Sequence, residues 1–313
     1  MEKDKEYKLY FAPVQGVTDW IYRNLHEVHF GGVEGYYTPF IRVEKREDFR
    51  SRDKKDVDPE LNRVAGLVPQ VIAGEAEELR LLLEMLQERG YRQVDINLGC
   101  PFSLLVRRGK GAGLLPDPGK VAMLFSVLPE FPGIRCSVKM RLGWDDSSEC
   151  IKLLPVLEGA GIVSVTLHAR LGIQEYRGEP DQEAFARFYE ACSLPLLYNG
   201  DLCRAEDIHA ISRRFPALEG MMIGRGLLAD PGLALEYKTG VKLSTEERRM
   251  RFKAFHDDLF AAYTERMQGD HQLLMRMKTL WEYFLPETDK KSLKRVKKAT
   301  KIGQYKEAVN TIL

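Results

Sequence analysis

The chain alternates short, β-rich apolar segments with longer amphipathic segments from Leu9 to about Gly240, and this alternation is its strongest fold constraint. Several short segments, such as Ile162–Leu167, are largely apolar without a two-residue alternation, which is typical of parallel strands covered on both faces. In contrast, Glu75–Arg89 repeats leucine at helical spacing and ends at a glycine. Eight strands separated by helices predict an α/β fold, a (β/α)8 TIM barrel. The predicted strands are Leu9–Pro13, Glu34–Phe40, Leu67–Ile72, Gln93–Asn97, Arg135–Arg141, Val163–His168, Pro195–Asn199 and Gly220–Ile223.

A doubly wound open sheet is the alternative architecture. Such sheets commonly bind a dinucleotide through a G-x-G-x-x-G turn after the first strand, and this sequence has no such turn there. The barrel is therefore the preferred interpretation. Within it, the charged segment Glu44–Glu60 after the second strand predicts a surface loop.

Strand patterns stop after Gly240, and the remaining sequence carries helical patterns. We expect helices at about Thr245–Met267 and Gln272–Leu285, followed by a short terminal pair. The sequence therefore predicts two domains, a barrel over residues 1–241 and a smaller all-helical domain over residues 242–313.

The chain has 47 Lys and Arg against 46 Asp and Glu, a formal net charge of +1, but these charges are distributed unevenly along it. Residues 242–313 hold 16 basic and 10 acidic residues, a net charge of +6, which leaves 31 against 36, or −5, for residues 1–241. This excludes a uniformly basic nucleic-acid-binding protein but allows a local RNA contact. A basic cluster near the C terminus is either a solvated helix face or a phosphate-binding surface. It comprises Lys290, Lys291, Lys294, Arg295, Lys297, Lys298 and Lys301.

Other compositional features indicate the cellular setting. The sequence has no apolar run long enough for a membrane span, and its charged N terminus does not resemble a signal peptide. Its cysteines are widely spaced without a C-x-x-C pair, which favours a reduced cytoplasmic protein and disfavours disulfides and structural zinc. We expect a monomer with no metal site, no membrane association and no obligate protein partner. The five cysteines are Cys100, Cys136, Cys150, Cys192 and Cys203.

Polar residues gather where the predicted strands end, and the carboxyl ends of barrel strands surround the site of chemistry. Lys139 and His168 stand within otherwise apolar strands, where an unpaired charge is costly. One such residue is more often a satisfied core group, but six strands with polar ends favour a functional site. The polar residues at these ends are Gln15, Gln70, Asn97, Cys100, Lys139, Arg141, His168, Arg170, Asn199, Asp201 and Arg225.

Two neighbouring strand ends indicate a phosphate site. Gly224-Arg225-Gly226 follows the eighth strand, where barrels commonly bind phosphate through backbone N–H groups. Alone, this triplet is more commonly a turn, as is Asn199-Gly200-Asp201 after the seventh strand. Because the two segments lie at adjacent strand ends, together they predict a phosphate-bearing cofactor.

Cys100 lies on a strand-end loop between a glycine and a proline, ahead of a glycine-rich segment. A cysteine with an ordinary pKa of about 8.5 is mostly protonated near neutral pH and can donate a proton. The other four cysteines are expected to be inert core residues.

These motifs resemble those of the tRNA-dihydrouridine synthases, flavin-dependent enzymes that reduce uridine in tRNA. The resemblance covers nearly the whole barrel. It is carried by Ala12–Asp19 (A-P-V-Q-G-V-T-D), Asp95–Pro101 (D-I-N-L-G-C-P), Val106–Leu115, Val138–Trp144 (V-K-M-R-L-G-W), His168–Asp181, Asn199–Asp201 and Ile223–Gly226.

The resemblance implies an FMN-binding barrel and a C-terminal domain that helps to hold tRNA. NADPH would reduce the flavin, and flavin N5 would pass a hydride to C6 of a uridine that has left the base stack. Cys100 would give a proton to C5, and Lys139 would stabilise the reduced, anionic flavin. The implied cofactor-binding residues are Pro13, Val14, Gln70, Lys139, His168, Asn199, Asp201, Gly224 and Arg225.

For the substrate, the resemblance implies that Asn97, Arg141 and Arg177 face the uridine base. Trp281 and Tyr283 are either further RNA contacts or helix core. Four positions depart from the family pattern, and they leave the modified uridine position undefined. They are Val14, Ala169, Gln182 and Ala73, the last of which replaces a glycine that many members have. The tRNA-binding residues expected in the basic tail are Arg276, Lys278, Lys290, Lys291, Lys294, Arg295, Lys297 and Lys298.

Two other functions fit parts of the sequence. A flavin barrel that acts on a small pyrimidine-like molecule would need neither the basic tail nor the N-x-G-C-P context around Cys100. A non-catalytic RNA-binding relative would not need to keep Cys100, Lys139 and His168. An RNA uridine reductase is therefore the preferred hypothesis.

Overall fold

Parallel strands form a barrel in the computed structural model of the protein, which describes residues 6–44 and 48–313. Every pairing within the large sheet is parallel, and its order is β5-β2-β1-β11-β10-β9-β8-β7-β6. The nine strand segments of this sheet are β1 (Lys8–Phe11), β2 (Gly35–Tyr37), β5 (Leu67–Val68), β6 (Gln70–Val71), β7 (Gln93–Leu98), β8 (Arg135–Gly143), β9 (Val165–Leu171), β10 (Leu196–Asn199) and β11 (Gly220–Ile223).

The third barrel position is divided between two segments, because Pro69 separates β5 from β6. Proline has no N–H to donate to the ladder, but its carbonyl accepts from the Asp95 N–H of β7 at 2.9 Å. β5 pairs with β2 on one side, and β6 pairs with β7 on the other. Nine segments therefore occupy eight positions, and the predicted (β/α)8 barrel is confirmed.

Helices alternate with these strands, and the longer helices present an apolar stripe to the barrel. Four of the five leucines of the third helix are buried, and Asp117 caps the fifth helix by accepting from the Lys120 N–H at 3.0 Å. The barrel helices are α1 (Trp20–His29), α2 (Ser51–Asp56), α3 (Ala76–Glu88), α4 (Ser103–Val106), α5 (Pro118–Phe125), α6 (Glu149–Gly159), α7 (Gln182–Ala191), α8 (Ala205–Arg214), α9 (Arg225–Ala229) and α10 (Leu233–Thr239).

The surface loop expected at Glu44–Glu60 is wrong for the part of this segment that the structure describes; residues 45–47 lie outside it. β3 (Val43–Glu44) pairs antiparallel with β4 (Asp48–Phe49), and α2 follows. Phe49 and Val57 are buried in the core, and the buried carboxylate of Asp56 lies 3.3 Å from the Arg23 guanidinium. High charge in the sequence concealed these apolar anchors and a paired acid.

The C-terminal helical segment comprises α11 (Thr245–Thr264), α12 (Gly269–Leu280), α13 (Lys290–Lys298) and α14 (Ile302–Asn310). Its core is continuous with that of the barrel, since Tyr22 of α1 packs edge-on against Phe255 of α11 with ring centroids 5.3 Å apart. The Trp281 indole N–H donates to the Tyr305 hydroxyl at 2.8 Å, and both side chains are buried. Trp281 is therefore helix core, which decides between its two alternatives.

Arg276 links α12 to the loop after β1. Its guanidinium donates to the Val17 carbonyl at 2.7 Å, lies 2.8 Å from the Asp19 carboxylate and also contacts the Gly16 carbonyl and the Tyr263 hydroxyl. Tyr263 in turn donates to Asp19 at 2.7 Å. These contacts correct the expectation that Arg276 binds tRNA, because its guanidinium is occupied by protein groups.

Within residues 6–44 and 48–313, no helix is long and apolar enough to cross a membrane.

Replacing Arg276 with alanine should destabilise the protein, because the substitution leaves the Asp19 carboxylate without its guanidinium partner. We expect the free energy of unfolding to fall by about 3 kcal/mol in urea titrations. Lys278→Ala, on the same helix, is the matched control and should change it by about 0.5 kcal/mol or less. Equal stability of Arg276→Ala and the wild type would show that the link contributes nothing.

Candidate active site

A cavity of about 300 Å³ opens at the carboxyl ends of the barrel strands, and all eight strand positions contribute to its lining. Its volume is at the lower end of the range of small-molecule sites, about 300–1,000 Å³. The structure brings together there all of the predicted cofactor-binding residues and three further predicted residues, Cys100, Asn97 and Arg141. Further side chains that line the cavity, and to which the sequence assigned no definite role, belong to Gln15, Phe40, Tyr176, Met222 and Tyr283.

Arg177 does not line this cavity. Its side chain is exposed, and its guanidinium donates to the Ile173 carbonyl at 3.3 Å. The structure therefore does not bring Arg177 into the cavity with Asn97 and Arg141, and its contact with the uridine base stays a prediction.

A chain of buried hydrogen bonds runs from the barrel interior to Cys100. The Asp95 carboxylate accepts from the side-chain amide of Gln70 at 2.7 Å. The Gln70 side-chain carbonyl accepts from the Asn97 amide at 2.8 Å. The Asn97 side-chain carbonyl then accepts from the backbone N–H groups of Gly99 at 3.0 Å and Cys100 at 2.8 Å. Asn97 thus holds the turn that carries the thiol.

Asp95 sets the direction of this chain. A carboxylate only accepts hydrogen bonds, so Gln70 must present its N–H2 to Asp95 and its carbonyl to Asn97. Burial raises the pKa of Asp95 to about 6, and the Ser137 hydroxyl donates to its second oxygen at 2.7 Å. At neutral pH the carboxylate is mostly ionised and the direction is fixed. Asp95 was not among the predicted site residues, although a lone acid within the apolar strand β7 was a visible signal.

Lys139 supplies a buried positive charge to the cavity. Its ammonium donates to the Asn199 side-chain carbonyl at 2.9 Å, and the Asn199 amide donates to the Met222 carbonyl at 2.7 Å. Burial, reinforced by the neighbouring Arg141 charge, lowers the pKa of Lys139 to about 8. The side chain therefore keeps its proton at pH 7 and presents a charge that solvent screens poorly.

His168 is neutral in this environment. Burial and the nearby charges of Arg141 and Lys139 hold its pKa well below 6.5. The Arg170 guanidinium lies 3.3 Å from His168 Nε2, so this nitrogen accepts and the ring proton resides on Nδ1. The cavity therefore has an imidazole N–H donor that is not a cation.

Asp201 joins two guanidinium groups at the far side of the cavity. It accepts from Arg170 at 3.0 Å and forms an ion pair with Arg225. Burial alone would raise the pKa of Asp201, but the two arginines hold it below its usual value. The residue adopts a left-handed φ of 40°, a conformation that is costly without glycine. Two guanidiniums share this carboxylate, so the cluster keeps a net positive charge.

Two glycines beside this cluster fit the backbone closely around it. A Cβ on Gly226 would overlap the Leu202 carbonyl, and one on Gly224 would lie 3.3 Å from the Ala12 Cβ. A larger residue at Gly226 would displace the backbone beside Arg225, and one at Gly224 would crowd Ala12.

The Cys100 thiol is half-buried, and burial raises its pKa above the ordinary value. It is therefore protonated at neutral pH. Its backbone carbonyl accepts from the Ala112 N–H at 3.0 Å. Gly111 packs directly against it with a φ of 59°, and a Cβ there would lie 2.7 Å from the Cys100 carbonyl oxygen. The glycine-rich segment is thus what allows this loop to close on the cysteine.

Arg141 ties the Cys100 loop to the loop after β9. It donates to the carbonyls of Gly99 at 2.9 Å, Leu171 at 2.9 Å and Glu175 at 2.7 Å. Its guanidinium carbon lies 5.5 Å from the centre of the exposed Tyr176 ring, which Arg225 also approaches at 4.9 Å. Tyr176 is thereby held at the cavity mouth.

The basic cluster of the tail lies on α13. Val296 anchors this helix in the core, while its basic side chains are exposed. Arg295 pairs with Glu307 of α14 at 3.2 Å, so part of its charge is compensated. The six exposed residues are Lys290, Lys291, Lys294, Arg295, Lys297 and Lys298.

The fold and cavity define a (β/α)8-barrel protein with a charged, cofactor-sized site at the carboxyl ends of its strands. A family model described as "Dihydrouridine synthase (Dus)" matches residues 10–312. A probable tRNA-dihydrouridine synthase of Rickettsia bellii is 31% identical over 243 residues, which are 75% of this chain and 72% of the relative. A tRNA-dihydrouridine(16) synthase of Ralstonia nicotianae is 30% identical over 239 residues, which are 74% and 72%. The chain belongs to the dihydrouridine synthase family.

Solved structures with the same fold are more distant in sequence. The old yellow enzyme from Trypanosoma cruzi has a TM-score of 0.55 and 9% identity, over 80% of this chain and 94% of that one. Morphinone reductase in complex with tetrahydroNAD has a TM-score of 0.54 and 9% identity, over 77% and 90%. These similarities support the barrel fold alone.

The buried position of Asp95 predicts a pH dependence of stability. Its pKa is 3.8 in an ordinary setting and about 6 here, so between these values the folded state holds a proton that the unfolded chain releases. Stability therefore falls as the pH rises through this window. In urea titrations from pH 4 to 7, the free energy of unfolding of the wild type should fall by about 2–3 kcal/mol more than that of Asp95→Asn.

Ser137→Ala is the matched control, since it keeps the carboxyl and removes one of its donors. Its stability should fall with pH at least as steeply as that of the wild type. Parallel curves for wild type and Asp95→Asn would contradict the assigned environment of Asp95.

Proposed function

We propose that this protein is a tRNA-dihydrouridine synthase that binds FMN and reduces the C5=C6 bond of uridine in tRNA with NADPH as the reductant. The observation that carries the proposal is the meeting of a protonated thiol, a buried ammonium and a cationic cluster in one cavity. These groups are Cys100, Lys139 and the Arg170–Asp201–Arg225 cluster, of which Asp201 and Arg225 line the cavity and Arg170 pairs with Asp201.

The residues present fit a flavin mononucleotide. The Arg170–Asp201–Arg225 cluster keeps a net positive charge for a phosphate, beside glycines where a Cβ would intrude. Lys139 offers the cation that a reduced, anionic flavin ring requires. When bound, the flavin supplies hydride transfer between the nicotinamide and the uridine.

The charge on Lys139 depends on its neighbours. Among the described residues, its ammonium donates a hydrogen bond to neutral Asn199, and the nearby Asp95 carboxylate acts on it electrostatically without forming an ion pair. Its pKa of about 8 means that it holds this charge near neutral pH and loses it in base. It therefore favours negative charge at whatever ring edge it contacts.

Cys100 donates the proton at C5 of the base. Its raised pKa keeps the hydrogen on sulfur until transfer. Asn97 and Gly111 fix the loop on both sides of the thiol, so the sulfur is positioned before the substrate arrives. The proton is thus delivered from a rigid turn.

Arg141 orients the base, since its guanidinium is fixed to the Gly99 carbonyl in the turn that carries Cys100. Its Nε and Nη1 are occupied by three backbone carbonyls, whereas the described residues provide no acceptor for Nη2. That nitrogen is available to a carbonyl oxygen of uracil, which is a good acceptor for a guanidinium.

The remaining expectations concern the tail and the cellular setting. The exposed basic side chains of α13 would bind tRNA phosphates, and Lys278 of α12 stays a prediction. All five cysteines are free thiols, which suits the reducing cytoplasm where tRNA is modified. We expect the protein to act there as a monomer.

Cys100→Ala should bind FMN like the wild type but form dihydrouridine at least 100-fold more slowly, because general acid catalysis contributes about 10²–10⁴-fold. Flavin absorbance reports binding, and mass analysis of nucleosides from digested tRNA reports product. Cys203→Ala, at an exposed cysteine, is the control and should retain wild-type activity. If Cys100→Ala forms dihydrouridine at the wild-type rate, Cys100 is not the proton donor. If the wild-type protein cannot be loaded with FMN, the proposal that it is a flavin enzyme is wrong.

Reversing four positive charges on α13 tests whether this helix binds tRNA. Replacement of Lys294, Arg295, Lys297 and Lys298 with glutamate should weaken tRNA binding and flatten its dependence on salt concentration, since fewer counterions are released. Filter binding at several salt concentrations measures both effects. Unchanged binding would show that α13 does not contact tRNA.

A further inference from the structure

Exposed apolar side chains are frequent on two of the loops that follow strands lining the cavity. Ten large apolar residues among those described have more than a third of their surface exposed, and four of the ten follow just two barrel strands. Phe102 and Leu104 follow β7 with 60% and 47% exposed, and Ile173 and Tyr176 follow β9 with 45% and 56%. Such clustering is typical of an interaction site.

The two loops that carry these residues lie side by side. Arg141 hydrogen bonds to carbonyls in both of them, as described above. A Cβ on Gly172 of the β9 loop would lie 3.3 Å from the Ala112 Cβ, which belongs to the segment that packs on Cys100. Cys100 and Pro101 line the cavity immediately before Phe102. Phe102 therefore directly follows two residues of the site of chemistry in the chain.

The charges at this mouth are asymmetric. Arg107 and Arg108 are exposed on the Cys100 loop, and neither guanidinium has an ion pair or hydrogen bond to any described residue. Among other exposed arginines of the barrel, Arg214 pairs with Glu183, whereas Arg213 on the same helix has no such partner among the described residues. The facing β9 loop carries the exposed acids Glu175 and Glu179. A polyanion at this mouth would therefore place its phosphates on the side of Arg107 and Arg108.

We propose that the Phe102–Arg108 surface binds the unpaired nucleotide next to the target uridine. Phe102 stacks on its base, and Arg107 and Arg108 contact the flanking phosphates. Base–aromatic stacking suits this position because every base has a π face, so the contact is tolerant of sequence. The Cα atoms of Cys100 and Phe102 are two peptide units apart, at most about 7.6 Å, a distance that neighbouring unstacked nucleotides can span.

This inference rests on the proposed function and adds a requirement to it, namely that the substrate offers an unpaired neighbour. A uridine that has left the stack draws its neighbour out of regular stacking, and an exposed ring replaces the lost contact. An exposed phenylalanine beside unpaired arginines is the combination that single-stranded RNA sites use.

The test uses the FMN-loaded full-length protein, an unmodified tRNA transcript and NADPH. Phe102→Ala should raise the KM for tRNA by about tenfold, the loss expected for one stacked base. Phe102→Tyr keeps the ring and should stay within about twofold of the wild type. Met123→Ala removes a side chain that is 64% exposed on α5, and it should leave the KM unchanged.

A second experiment tests the two arginines by measuring the binding affinity of the protein for a single-stranded oligouridylate and for an RNA duplex of equal length. Arg107→Ala/Arg108→Ala should reduce the salt slope of single-strand binding by about 1.4, the value for two phosphate contacts to a single strand. Arg213→Ala, an exposed arginine at the end of α8, is the control and should leave the slope unchanged.

Several outcomes would overturn the inference. They are a KM for Phe102→Ala equal to that of Met123→Ala, a Phe102→Tyr variant as weak as the alanine variant, or equal losses for duplex and single-stranded RNA. A wild type that forms no dihydrouridine would instead refute the proposed function. The two failures are therefore distinguishable.

Discussion

One buried carboxylate, that of Asp95, determines the geometry of the candidate site. Parallel pairing places it beside Gln70 on one side and Ser137 on the other. Because the carboxylate can only accept, the two amides beyond it have a single orientation, and the last of them holds the Cys100 turn. The position of the Cys100 thiol therefore depends on the strand register and on the negative charge of the buried Asp95 carboxylate.

The same register distributes charge across the cavity. Asn97 lies opposite Lys139 in the β7–β8 pair, and Arg141 lies opposite His168 in the β8–β9 pair. Burial and the charges of Arg141 and Lys139 keep His168 neutral, and burial together with the Arg141 charge lowers the pKa of Lys139 to about 8. One wall of the cavity thus combines a protonated thiol, a neutral imidazole and a cation.

Much of this could be predicted from the sequence, since parallel strands are marked by apolar runs and glycine-rich ends. The eight strand positions were found, and their polar ends do converge. Contacts between distant segments could not be predicted. The burial of Phe49 within Glu44–Glu60, the capture of Arg276 by Asp19 and the exposure of Arg177 all depend on tertiary packing. Asp95 was visible as a lone acid in a strand, but its role required the register.

The central claim is that this cavity reduces uridine in tRNA, and one measurement tests it most directly. tRNA from cells that lack this protein would be incubated with the FMN-loaded protein and NADPH, and dihydrouridine would then be mapped along the tRNA. The account predicts new dihydrouridine at defined positions, with NADPH oxidised in equal amount. NADPH oxidation without any new dihydrouridine, or no reaction at all, would contradict it.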